Sequence, residues 1–167
     1  DTRVTVLEGV TLTIDPGTVI KGNTGQQAAS TALLVARGAT LMAEGSPELP
    51  IIFTSINDPI DPSDIAAGNY ASTTNSSQTG LWGGVNVLGS APISTQNDND
   101  EDIAEAQIEG IPSSDPNGLY GGDNPDDNSG VLSYISIRHG GTNIGAGNEI
   151  NGLTLGGVGA GTTISNI

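Results

Sequence analysis

Residues Val6–Gly17 read V-L-E-G-V-T-L-T-I-D-P-G, and Val35–Gly45 read V-A-R-G-A-T-L-M-A-E-G. Superposed, the two copies match Val6 with Val35, Gly9 with Gly38, Val10 with Ala39, Thr11 with Thr40, Leu12 with Leu41 and Asp15 with Glu44. Within each copy small or aliphatic residues alternate with more polar ones. Val10, Leu12 and Ile14 oppose Thr11, Thr13 and Asp15, and Ala39, Leu41 and Ala43 oppose Thr40, Met42 and Glu44. A period of two marks a strand buried on one face. The flanking glycines supply the corners that β-branched residues resist. Such a strand-and-corner unit cannot bury its apolar face alone, so its recurrence implies a solenoid in which each coil covers the next.

The rest of the chain fits that reading. A first coil runs to Gly22, with a further strand over Thr18–Lys21. A polar connector leads to Ala32, and the second coil continues through Pro50-Ile51-Ile52-Phe53-Thr54, where Phe53 reads as core filler. Turn-rich stretches at about 56–80, 94–103 and 112–129 read as insertions. Between them, Leu81–Gly89 places Val85 and Val87 inward and Asn86 outward, and Ala104–Gly110 forms a short strand. After Gly130 the chain is coil-like again, with Ile135 and Ile137 inward.

Composition narrows the function classes. The 167 residues suit one domain, and 25 glycines with only five aromatics leave a thin aliphatic core. The net charge of −15 sets 19 acids against Arg3, Lys21, Arg37 and Arg138. A surface so negative repels phosphate backbones and anionic membranes, so nucleic acid is not an expected partner. No apolar run is long enough to span a bilayer. The absence of cysteine leaves no disulfide framework or thiolate zinc site. The chain begins at Asp1 with no initiator Met or signal-peptide pattern, so the expectation is that any leader has been removed or lies outside these residues.

Several residues are candidates for chemistry. Ten of the 19 acids fall between Asp98 and Asp127. Ca²⁺ takes six to eight oxygens from such residues, which makes Asp98, Asp100, Asp102, Asp123, Asp126 and Asp127 the candidate ligands, against the simpler reading of charged, solubilising loops. The Asp98-x-Asp100-x-Asp102 spacing starts like an EF-hand loop, but Ile103 stands where that loop needs glycine. A lyase would need a base beside acids, and Arg138 is the one candidate, with charge pairing as its other explanation. Glu105, Gln107 and Glu109 share a strand face, as paired hydrolase carboxylates would, or as a solvated solenoid face does. His139 is the only histidine, which removes His-cluster metal sites and points to a turn-closing role. Trp82 either stacks on a sugar or packs beside the glycines. The Thr11-Thr13 and Thr40 rows are too short to lead an ice-binding reading.

The series T-L-T-I-D-P-G-T-V-I-K-G, P-I-I-F-T-S, L-W-G-G-V-N-V-L-G, G-V-L-S-Y-I-S-I-R-H-G-G and N-E-I-N-G-L-T-L-G-G-V-G resembles segments of large secreted bacterial surface proteins. Those segments form a pectate-lyase-like, right-handed parallel β-helix. The resemblance implies that fold, here in about five or six coils with polar loop insertions, and an extracellular or cell-surface location. No position matches the active-site motifs of the superfamily's enzymes. The expected function is therefore a structural or adhesive module, with a polysaccharide lyase or hydrolase as the alternative and carbohydrate as a conceivable partner. Neither end shows a capping pattern. Val4-Thr5-Val6 starts a strand at once and Ile164 and Ile167 belong to one barely begun, so the expectation is self-association through the ends or continuation in a longer chain.

Overall fold

The period-two stretches become three short strands per coil in a computed structural model that describes residues 3–25, 30–97, 99–145 and 148–167. The first coil comprises β1 (Arg3–Val6), β2 (Thr11–Ile14) and β3 (Val19–Gly22). The second comprises β4 (Ala32–Val35), β5 (Thr40–Glu44) and β6 (Ile51–Ser55). The third opens with β7 (Val85–Leu88) and leaves on an excursion carrying β8 (Glu105–Gln107) and β9 (Leu119–Gly121). It closes with β10 (Gly130–Ser133) and β11 (Ile135–Ile137). A hairpin of β12 (Thr142–Gly145) and β13 (Asn148–Ile150) leads to β14 (Leu153–Gly156) and β15 (Thr163–Ser165) of the fourth coil.

Stacking these coils gives three sheets, ordered β1-β4-β7-β14, β2-β5-β10-β15 and β3-β6-β11, which we call A, B and C. Every pairing within them is parallel. The described residues therefore make three complete coils and a fourth of two strands, which corrects the expected five or six. The overcount arises because β7 and β10 belong to one coil although 41 intervening residues (89–129) separate them. The short strand at 104–110 also stands outside the coils: β8 pairs antiparallel with β9.

The repeat seen in the sequence is the stacking register itself. Val6 pairs with Val35, Thr11 with Thr40 and Leu12 with Leu41. At the corner between sheets A and B, Gly9 and Gly38 take φ angles of 76° and 77°. L side chains disfavour that region. The Gly9 amide donates to the Gly38 carbonyl at 2.9 Å, so the hydrogen-bond ladder continues around the bend.

Inside, side chains stack in rows along the axis: Val4-Leu33-Val85-Leu153, Val6-Val35-Val87-Leu155, Ile14-Ala43-Leu132-Ile164 and Ile20-Phe53-Ile137. Phe53 is fully buried, as expected of core filler. Each fully buried aliphatic contributes about 1.5–3 kcal/mol, so the thin core is made continuous by stacking. Outside, two insertions add small cores. Ile60 and Ile65, the latter on a short helix Pro62–Ala66 capped by Asp61, cover Ile52 and Val19 of sheet C. Ile108, Ile111 and Tyr120 cover Leu34 and Leu88 of sheet A.

Candidate functional site

The outer face of sheet C gathers two of the four basic side chains, Lys21 and Arg138. Lys21 and Thr54 share a register position, and Arg138, which follows β11, donates its amide to the Phe53 carbonyl at 2.9 Å. Asp58 lies fully buried above them. Its carboxylate accepts from Thr54 Oγ1 at 2.8 Å and from the Ile60 amide at 3.3 Å, while Lys21 Nζ donates to its carbonyl at 2.6 Å. The Arg138 guanidinium donates to Ser136 Oγ and to the Tyr70 carbonyl. Burial pushes the Arg138 pKa down, and the nearby Asp58 carboxylate offsets part of that. His139, at φ 55°, closes the turn that follows. Its Nδ1 meets the Gln78 carbonyl at 2.7 Å and its Nε2 meets Ser72 Oγ at 3.3 Å. Arg138, the candidate base, and His139, expected to close a turn, thus tie the 56–80 loop to the solenoid.

Trp82 takes the packed alternative. It is 2% exposed, and its indole Nε1 donates to the Arg138 carbonyl at 2.8 Å. A Cβ placed on Gly22 would lie 2.7 Å from the Trp82 ring, so only glycine admits it there. One edge of the ring helps floor a 570 Å³ hollow at the first coil, walled by Val4, Leu12, Ile14, Ile20 and Leu33. This hollow is the open mouth of the apolar interior.

Among the described residues the candidate acids do not converge. Asp98 lies outside the described residues. Asp100, Asp102, Asp123 and Asp126 are exposed. Asp102 accepts from Gln96 Nε2 at 3.0 Å within a self-bonded loop in which Asn97 Oδ1 receives the Asn99 and Glu101 amides. Among the described residues no three His, Cys, Asp or Glu side chains are grouped as a metal site requires. Asp127 has a different role. Nearly buried, it accepts from the Ser90 amide and hydroxyl at 2.9 and 2.8 Å, from Ser129 Oγ at 2.9 Å and from the Gly159 amide at 3.4 Å. Burial acts to raise its pKa, but the bonds from Ser90, Ser129 and Gly159 outweigh that and hold it below the ordinary carboxylate value. It fastens the third coil to the fourth.

The Glu105, Gln107, Glu109 face is also divided. Glu105 pairs with Arg37. Gln107 Nε2 donates to the carbonyls of Pro112 at 3.0 Å and Asp115 at 3.1 Å, holding the turn of its own arm. Glu109 borders a 680 Å³ cleft between this arm and sheet A, with Asn86, Tyr120, Asn151 and Thr154 among its walls. No motif in the sequence marks this cleft, because it exists only once the arm folds back on the sheet.

Stacked parallel coils with loops laid over two outer faces define a parallel β-helix. The chain matches the pectate-lyase-like beta helix domain over residues 1–67 and 69–167, and it belongs to that family. No curated protein and no solved structure matches it. No helix among the described residues is long and apolar enough to cross a membrane.

Proposed function

We propose that the chain is a non-catalytic structural module of an extracellular surface protein, and that it works by stacking further β-coils on its end faces. The observation that carries this reading is the uncovered state of the inward rows at both ends. Val4 is 60% exposed at the first coil, and Leu155 and Ile164 are 40% and 38% exposed at the last. At the first coil the strands β1, β2 and β3 are all sheet edges. Unpaired N–H and C=O groups around an apolar hollow suit another coil in parallel register, from a longer polypeptide or from a second copy. The extracellular setting rests on the resemblance to secreted surface proteins. The engagement of Arg138 and His139 in holding a loop supports the non-catalytic part.

Sedimentation and electron microscopy test the stacking. The isolated chain should associate head to tail in a concentration-dependent way, and Val4→Asp should abolish this by placing a charge in the mouth. A monomer at all concentrations, with terminal strand amides protected from exchange, would refute it. Incubation with pectin or alginate should release no unsaturated product. Product that vanishes in a folded Arg138→Ala variant would show the chain to be a lyase.

A further inference from the structure

Asparagine followed by glycine occurs twice in the chain, at Asn117-Gly118 and at Asn151-Gly152. A glycine has no Cβ to shield its main-chain nitrogen, so that nitrogen can reach the side-chain carbonyl carbon of the asparagine before it. The fold treats the two pairs differently. Gly118 is buried, and its amide donates to the Asp115 carbonyl at 3.2 Å. Asp115 Oδ1 also takes the Asn117 amide at 3.0 Å and Asn117 Nδ2 at 2.8 Å, which fixes both reacting groups. Asn151 stands exposed between β13 and β14, on the wall of the 680 Å³ cleft. Among the described residues its side chain has no hydrogen-bond partner and the Gly152 amide donates to none. The Gly152 carbonyl accepts the Val85 amide at 2.9 Å, so the pair is anchored on one side of its main chain and open on the other.

We propose that Asn151 is a self-modifying site, at which the chain converts this asparagine to aspartate and isoaspartate with water as the one co-reactant. The Gly152 amide nitrogen loses its proton to hydroxide and bonds to Asn151 Cγ. The Cγ–Nδ2 bond breaks, and Nδ2 takes a proton from water and leaves as ammonia. Water then adds to one of the two carbonyl carbons of the five-membered imide. Opening at Cγ gives aspartate. Opening at the Asn151 main-chain carbon gives isoaspartate, whose backbone runs through the former side chain and is longer by one carbon. No electrons are exchanged with any partner. The change falls just ahead of β14, whose register against β7 begins where Leu153 pairs with Val85. An extra backbone atom there, with a new carboxylate in a chain already at net charge −15, loosens the fourth coil and leaves the pairing of β4 with β7 intact. The fourth coil is affected whether or not further coils stack on it.

The test holds the whole chain at mildly alkaline pH and samples it by peptide mapping, with fragmentation that separates aspartate from isoaspartate. Asn151 should convert with first-order kinetics about tenfold faster than Asn117, because the Gly118 amide must first break its bond to Asp115. The rate should rise with hydroxide concentration, as loss of the amide proton requires. Gly152→Ala is the control. A Cβ there meets nothing nearer than Ile137 Cγ2 at 3.6 Å, so the fold is kept while the attacking nitrogen is shielded. Conversion in that variant should slow several-fold. Equal rates at the two pairs, or earlier conversion at Asn117, would overturn the proposal. So would an Asn151 that stays intact while a free peptide of residues 150–153 is consumed. A rate unchanged in Gly152→Ala would equally refute it, since that is direct hydrolysis of the side-chain amide. In the modified chain the amides of Leu153–Gly156 should exchange faster while those of β4 keep their protection. Unaltered exchange in β14 would overturn the effect on the fourth coil.

Discussion

Asp127 shows how one carboxylate holds a corner of the solenoid. Its four donors come from Ser90 on one side, Ser129 beside it and Gly159 on the next coil. Asp127→Ala removes the acceptor and leaves those groups unpaired, which should cost on the order of 2–3 kcal/mol in a denaturant titration. Asp127→Asn, which keeps one oxygen, should cost less. The pH dependence has a definite sign. The folded pKa is depressed below the ordinary 3.8, so the unfolded chain binds the proton more readily. The stability contributed by Asp127 is complete above that value and is lost as pH falls through the lower, folded pKa. Melting curves from pH 6 down to about pH 2 should show the wild type losing an increment that Asp127→Ala lacks. None of this was legible in the sequence. An aspartate among nine other nearby acids reads as a metal ligand or a solvated charge, and only the arrival of Ser90 and Gly159 from distant stretches makes it a structural acceptor.

At the scale of elements, the insertions are secured more firmly than their turn-rich composition suggests. The 56–80 loop has its own small core on sheet C and is held by Arg138 through the Tyr70 carbonyl and by His139 through Gln78 and Ser72. Arg138→Ala removes the first tie and one of the positive charges that act on the buried Asp58. Limited proteolysis should then cut between residues 69 and 80 about tenfold faster, the effect of losing about 1.4 kcal/mol of local closing energy. The coil strands should remain uncut. Coil strands were readable because alternation and glycine corners are local signals, as in Thr11–Ile14 against Thr40–Glu44. The antiparallel pairing of β8 with β9 was not, since Glu105–Gln107 alternates like any half-buried strand and carries no mark of its partner.

Across the whole molecule, stability should grade along the axis. Strands β5, β6 and β7 have neighbours on both sides, whereas β1, β2 and β3 have one. In hydrogen exchange the middle coils should open only with global unfolding and the first coil by fraying, a difference of several orders of magnitude in protection. Uniform protection would mean that the coils unfold as a single unit. The architecture was legible in outline, because the Val6 and Val35 match is the true stacking register. The number of coils was not, because the arm at 89–129 interrupts a coil instead of separating two.

The parallel pairing of all three sheets gives the solenoid a direction. Its first face presents β1, β2 and β3, and its last presents β14 and β15. The two faces are different surfaces, so neither can meet a copy of itself in the parallel register that continues the ladders. Any rod built from this chain is therefore an arrow, with unlike tips. A blocking variant such as Val4→Asp would stop one tip and leave the other free to bind, so substoichiometric amounts would terminate growth from a single end.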